Sequence, residues 1–311
     1  MANPYSSGGS ITIDTTVNLL NKAIDVVFAR RDEHEGVLGQ FFEKEGKDSG
    51  LTHIISSVAS TLPLPPAGRD DEDLAYFVPP PGYPKTFALV EYRSGIRVTK
   101  TMLKADRFNR VAGMTTGQVL SGFRKDEYFR TAIFTNAFSG TAGADSLSLC
   151  HSSHPHVEDM AGTWDNSGTG APTGANLQAL RLLGMLMTGD QGDPDPVIAK
   201  KILCPATLEN TIRRLVNSPR EAENALNAET QLIGSLEVVV SPYLDTGSTT
   251  QYFMVGDRMG YNRGLHEVFL EDWHIENNSP SDARIVIDKQ VVANKAFGFT
   301  TSQNILGSTG A

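Results

Sequence analysis

Between Thr101 and Phe138 the apolar residues recur at helical spacing, and this stretch limits what the chain can become more than any other. Met102, Leu103, Phe108, Val111 and Ala112 lie on one face, with Asp106, Arg107 and Arg110 between them. The pattern restarts after Gly113. Val119, Leu120, Phe123, Phe129, Ile133, Phe134 and Ala137 then hold one apolar face as far as Phe138. Thr115 with Gln118 three residues on reads as a capping box, which predicts a second helix starting there. A helix over Thr116–Phe138 would span about 35 Å. Gly117 and Gly122 each weaken it by about 1 kcal/mol, so its neighbours must supply the stability. Ser139-Gly140 ends it. A long helix with one apolar face, in a chain otherwise rich in strands, suits a flat molecule.

The rest of the chain supplies the strands. Thr15–Arg31 reads as an amphipathic helix with Val17, Leu20, Ile24, Val27 and Phe28 in one stripe, and Val37–Phe42 follows as a short apolar segment. Seven of the 16 prolines fall between Pro63 and Pro84, flanking the acidic run Asp70–Asp73, as in an arm or functional loop. Phe87–Tyr92 and Ile96–Lys100 read as two strands around a hairpin turn at Ser94-Gly95. Arg93, Arg97, Lys100 and Lys104 cluster there as the one local positive excess. They form either a solvated face or a projecting hairpin that meets carboxylates on another subunit. Asn176–Met187 and Ala206–Asn217 are predicted helices, the second opened by Pro205. Val197–Leu203, Leu232–Val240, Gln251–Gly256, Leu265–Ile275, Arg284–Asp288 and Val291–Thr300 are predicted strands. Helices early and strands late indicate an α+β chain.

Bulk composition narrows the function. The 311 residues carry a net charge of −9 with no basic stripe, which argues against specific nucleic-acid binding. Cys150 and Cys204 give no disulfide framework and read as buried, reduced thiols. Met1–Ser10 lacks the charged and apolar regions of a signal peptide, and no stretch reaches the ~20 apolar residues of a membrane span. These features predict a soluble protein made in a reducing cytoplasm.

Chemistry is sparse. His151, His154 and His156, followed by Glu158 and Asp159, offer nitrogen and oxygen donors for a metal-dependent hydrolase. The H-x-x-H-x-H spacing fits neither a strand nor a helix, and Pro155 interrupts any helix that would align the rings. The competing reading is a turn in which Ser152, Ser153 and His154 bond local backbone. Asp190, Asp193 and Asp195 lack the order of a calcium loop. No G-x-S-x-G elbow or phosphate loop is present. Glu267, Glu271, Asp272 and His274 alternate along one strand and do not converge. The sequence predicts no catalytic residue, no cofactor and no metal.

Several short runs in order carry a resemblance. They are E-Y-R-S-G-I at Glu91–Ile96, D-R-F at Asp106–Phe108, S-S-H-P at Ser152–Pro155 and G-T-W-D-N at Gly162–Asn166. L-C-P-A-T-L at Leu203–Leu208 and V-V-S-P-Y-L at Val239–Leu244 complete the series. Over roughly residues 85–300 the chain resembles major capsid proteins of the Hong Kong 97-type fold, and among these the Mu-like prophage major head subunits of tailed bacteriophages. The resemblance implies an N-terminal arm over 1–68, an extended E-loop hairpin over 69–104, a peripheral domain with the spine helix over 105–138 and 240–311, and an axial domain over 139–239. It implies a non-enzymatic subunit that self-assembles into pentamers and hexamers, forming an icosahedral shell around double-stranded DNA without sequence-specific binding. Scaffolding, portal and cement proteins are the further partners it implies. Assembly would occur in the host cytoplasm and the product would be the virion. Arg93, Arg97, Lys100 and Lys104 are the candidate subunit-interface residues. A Lys–Asn crosslink has Lys85, Lys100, Asn294 and Asn304 as chemical candidates. An encapsulin-like compartment shell shares the implied fold.

Overall fold

The computed structural model describes residues 36–47, 49–58, 81–105, 110–140, 142–157, 162–189, 192–217, 235–256, 264–277 and 285–310. The predicted helix Thr15–Arg31, most of the proline-rich stretch and the segment Ser218–Gln231 lie outside the described residues. A 3-10 turn over Val37–Phe41 leads into β1 (Glu43–Gly46), β2 (Thr52–Val58), β3 (Pro81–Ala88) and β4 (Val90–Thr99). Helices α1 (Lys100–Ala105) and α2 (Arg110–Thr135) follow, then the short strands β5 (His154–Pro155), β6 (Thr163–Trp164) and β7 (Ser167–Gly168). Next come α3 (Gly174–Met185), β8 (Ala199–Cys204), α4 (Glu209–Asn217) and β9 (Glu237–Val240). Strands β10 (Tyr252–Gly256), β11 (Leu265–Asn277), β12 (Ile285–Phe299) and β13 (Ile305–Ser308) close the described chain. No helix among the described residues is long and apolar enough to cross a membrane.

The chain divides into two compact units. The first comprises 1–36, 90–126 and 270–295. In it β4 pairs antiparallel with β12 from Thr99↔Ile285 to Val90↔Lys295. The expected hairpin at Ser94-Gly95 is therefore absent, and β4 runs through it as one strand. The reason is tertiary: β12 offers Val291 opposite Ser94 and Gln290 opposite Gly95, so the turn dipeptide stays extended. Gly95 also leaves room for Gln290, whose Cγ sits 3.3 Å from where a Cβ would project. Val119 and Phe123 of α2 pack on Val98, Trp273, Val291 and Ala293. Gly113 does not interrupt α2, which begins at Arg110. The expected capping box is also absent, because the Gln118 amide reaches across to the Ser94 hydroxyl instead.

The second unit comprises 37–89, 127–269 and 296–311. Its five-stranded sheet has the order β7-β13-β10-β8-β9. Alternation along its strands feeds two cores. Phe253, Val255, Leu203 and Ile305 face one side with Ile133 and Phe134 from the end of α2, Ala137 just beyond it, and Leu38 and Phe41 from the 3-10 turn. Tyr252, Met254, Ile202 and Leu306 face the other with Leu177 and Leu180 of α3 and Ile212, Leu215 and Val216 of α4. Burying each such side chain contributes about 1.5–3 kcal/mol, so the sheet is held from both faces. Helix α3 is capped by Thr173, whose side chain accepts from the Asn176 N–H at 3.2 Å.

The hairpin of this unit is β2–β3, registered from Thr52↔Ala88 to Val58↔Pro81. Tyr83 donates to the His156 carbonyl at 3.0 Å, and Lys85 Nζ to the Ala142 carbonyl at 2.7 Å. Parallel pairing joins β1 to the start of β11, Glu43↔His266 to Gly46↔Phe269.

Candidate assembly face and buried ionic centres

The four basic residues singled out in the sequence lie in consecutive elements, β4 and α1. Arg93 and Arg97 are exposed on β4; Arg93 pairs with Glu91 of its own strand, and Arg97 Nε donates to Asp288 Oδ2 of β12 at 3.0 Å. Lys100, the first residue of α1, is exposed, and Lys104 belongs to the same helix. They therefore extend along a sheet face and the helix after it, not around a hairpin tip. The Arg93–Glu91 pair is exposed on both sides and contributes ~0–1 kcal/mol, so the Arg93 guanidinium can exchange partners cheaply. Arg97 instead opposes the buried carboxylate of Asp288.

Beside Arg93 a groove of about 330 Å³ opens between β4 and α2, walled by Tyr92, Gln118, Gly122, Lys125 and Trp273. Gly122 lets α2 pack closely on the buried indole of Trp273: a Cβ there would stand 3.0 Å from the ring. Burial, and then the negative charge of Asp126, push the Tyr92 phenol above its ordinary pKa, so it stays a neutral hydroxyl.

Below this surface the first unit contains a buried ionic centre. Lys295 Nζ lies 2.7 Å from Asp126 Oδ2 and 2.8 Å from Asp272 Oδ1, and Trp273 Nε1 donates to the same Asp126 oxygen at 2.9 Å. The second unit has its own. Arg130, 1% exposed, reaches Glu267 Oε2 through Nη2 at 2.5 Å and Nε at 3.2 Å. Its Nη1 lies 3.6 Å from Glu127 Oε2, and Glu127 Oε1 accepts the Leu38 N–H at 3.1 Å. Charges so placed are tolerable only when opposed and hydrogen-bonded. Neither centre was anticipated from sequence. The available signal was that Asp126, Glu127 and Arg130 continue the spacing of Val119, Phe123 and Phe134 along α2.

Glu43, Glu45 and His266 each bring one donor atom within 4.8 Å of the others, a possible set for a cation. Hydrogen bonds already engage the imidazole. His266 Nδ1 meets Glu45 Oε1 at 2.7 Å and its Nε2 meets Thr300 Oγ1 at 2.9 Å, while His53 Nε2 meets the other Glu45 oxygen at 3.1 Å. The arrangement ties β1 and the root of the β2–β3 hairpin to β11.

The histidine cluster does not converge as a hydrolase metal site would require. His151 Nδ1 accepts the Ser153 N–H at 3.1 Å. His154 Nδ1 meets Asp145 Oδ2 at 2.5 Å, its Nε2 meets Ser302 Oγ at 3.2 Å, and its ring stacks on Trp164 at 4.2 Å. The expected local backbone bonds of His154 are thus replaced by long-range ones. Asp145, His154 and Ser302 are connected in the order of a hydrolase triad. His154 is 0% and Ser302 2% exposed, however, so no substrate carbonyl can reach the hydroxyl. Asn166 completes this loop by donating to Leu149 and Ile305 carbonyls at 2.8 and 2.9 Å and accepting the His151 N–H at 2.8 Å. The S-S-H-P and G-T-W-D-N runs are pins of one loop system. Glu158 and Asp159 lie outside the described residues.

Both cysteines are buried as expected. Burial, the Glu209 charge and the Asp245 charge push the Cys204 thiol up to about 12 against the opposing pull of Arg213; burial and Asp165 push Cys150 higher still. Neither thiol is expected to react with Ellman's reagent at pH 8 until denaturant is added. Because the unfolded thiols ionise from about 9, their contribution to stability is whole below that pH and is lost as pH rises from 9 through about 12. A melting midpoint that falls above pH 9, and falls less in Cys204→Ala, is the expected result.

Residues 64–299 match the model of a family described as phage capsid protein. Among solved structures the chain is similar to the capsid of cyanophage P-SCSP1u, with a TM-score of 0.55, 12% identity and 86% of each chain covered. It is similar to the structure titled Mycobacterium phage Che8, with a TM-score of 0.54 and 12% identity over 88% of this chain and 91% of that one. It is also similar to the capsid of an empty GTA particle computed with C5 symmetry, with a TM-score of 0.53 and 9% identity over 88% and 89%. No curated protein matches this chain.

Proposed function

Because this chain belongs to the phage capsid protein family, we propose that its copies associate as pentamers and hexamers and close into the icosahedral shell that encloses the double-stranded DNA of a tailed bacteriophage. It is a major capsid protein of the Hong Kong 97-type fold, a structural component of the virion. The observation that carries the reading is the family match over residues 64–299, joined to fold likeness over 86% of the chain.

The physical logic agrees. A wall protein gains from many modest contacts made at once, since each added contact becomes effectively intramolecular. Net charge −9 lets the wall surround DNA without adhering to it. In this reading α2 is the spine of the peripheral domain (105–138 and 240–311), and residues 139–239 form the axial domain. The β2–β3 hairpin, with residues 59–80 between its strands, takes the part of the extended loop expected over 69–104. Arg93, Arg97, Lys100 and Lys104 form a face for a neighbouring subunit. Scaffolding, portal and cement proteins would be further partners, met in the host cytoplasm.

Purified protein is expected to elute as capsomers or megadalton particles and to show shells by negative-stain imaging. A chain that remains monomeric at every concentration tried would overturn the proposal.

A further inference from the structure

Three side chains able to bind a metal meet on one face of the β1–β11 pair. The parallel register sets Glu43 opposite His266, and Glu45, two residues on, projects from the same face. Glu43, Glu45 and His266 each bring one donor atom within 4.8 Å of the others. Among the described residues no hydrogen bond or ion pair engages the Glu43 carboxylate, so both of its oxygens are open to a ligand.

The imidazole is held for coordination through Nδ1. Its Nε2 lies 2.9 Å from Thr300 Oγ1, a hydroxyl able to accept the Nε2–H. With the proton there, the Nδ1 lone pair is directed at Glu45, whose Oε1 is 2.7 Å away. Phe87 meets the ring edge-on with centroids 5.9 Å apart, and His266 is 2% exposed, so the ring plane is fixed. His53 of β2 binds the other Glu45 oxygen at 3.1 Å and turns Oε1 inward. Such buried and hydrogen-bonded supports orient the ligands of a metal centre. Donors of a four-coordinate zinc ion stand about 3.3 Å apart, so Nδ1 and Oε1 need separate by only about 0.6 Å to admit one.

We propose that Glu43, Glu45 and His266 bind a divalent transition-metal ion of the zinc class, with water in the fourth position and His53 as a positioning residue for Glu45. One imidazole nitrogen and two carboxylate oxygens suit Zn²⁺, whereas Mg²⁺ and Ca²⁺ take oxygen donors alone. The ion fastens β1 to β11 and, through His53, holds the root of the β2–β3 hairpin at the same place. All four side chains belong to the second compact unit. The site is complete in one subunit and stands independently of the shell reading. No sequence motif announces it, because Glu45 and His266 are 221 residues apart.

Zinc titration of the full-length protein, stripped of metal with EDTA and dialysed, tests this. Isothermal titration is expected to give one Zn²⁺ per chain. Zinc at about a hundredfold above its dissociation constant is expected to raise the melting midpoint by about 5 °C, and Mg²⁺ at the same concentration should leave it unchanged. Glu43→Gln is the decisive variant, because it removes a ligand without breaking a hydrogen bond. Its zinc affinity should fall at least about tenfold while its metal-free midpoint equals the parent's. Co²⁺ in place of zinc should give a visible absorption band in the parent that Glu43→Gln lacks, a readout that a purely structural Glu43 would not move. His53→Ala should keep the band and weaken binding about 10-fold or more. Zinc that fails to bind, or that binds and stabilises Glu43→Gln as well as the parent, would overturn the site.

Discussion

Replacing Arg130 by Met is expected to destabilise the unassembled subunit by about 3–5 kcal/mol, because Glu127 and Glu267 would remain buried without the guanidinium that opposes them. For a chain of this size that corresponds to a fall of roughly 10 °C in the melting midpoint. Arg130→Lys keeps a positive charge but removes donors from the 2.5 Å and 3.2 Å contacts to Glu267, so its loss should be smaller. Thermal and urea melts at low protein concentration check both. A midpoint unchanged in Arg130→Met would show that the buried centre contributes nothing to holding α2 against β11.

Gly264→Ala is expected to be the other severe change. Gly264 has φ +82°, and a Cβ there would stand 2.0 Å from the Thr301 carbonyl oxygen. Left-handed backbone costs an alanine about 1–2 kcal/mol, and moving the Thr301 backbone adds ~1–3 kcal/mol. That backbone cannot move freely, since the Thr300 N–H donates to the Gly264 carbonyl at 2.9 Å. Gly113→Ala is the matched control with the opposite sign. It lies inside α2 with nothing within 4 Å of the added methyl, so it should stabilise by about 0.5–1 kcal/mol. Soluble yield and melting midpoint of the two variants should diverge; equal behaviour would refute the steric argument.

Legibility from the sequence followed the range of each interaction. Helix α3 and the second half of α2 were readable because Leu177 and Leu180, or Phe129, Ile133 and Phe134, repeat within a few residues of one another. Strand β10 was readable as an unbroken apolar run, and its two-sided burial explains why it lacks alternation. The β4 error had a definite cause: Ser94-Gly95 is a good turn dipeptide locally, and only β12, nearly 200 residues later, keeps it straight. Strands β1 and β2 were missed since E-K-E-G and T-H-I-I-S-S-V gain their order from β11 and β3. The ionic centres were hidden for the same reason. Asp126 and Lys295 are 169 residues apart, Arg130 and Glu267 are 137 apart, and each reads alone as a solvated charge. The histidines misled in the opposite sense, because nearness in sequence suggested a shared ligand that their separate partners rule out.

Strand β13 has a consequence for the timing of assembly. It lies between β7 and β10 in the five-stranded sheet, yet it is the last of those strands to leave the ribosome. Until Ile305 and Leu306 are inserted, β10 has an open edge and both cores lack a side chain. A nascent chain is therefore unfinished as a building block until β13 has emerged and entered the sheet. The topology acts as a clock, delaying polymerisation until synthesis has passed β13.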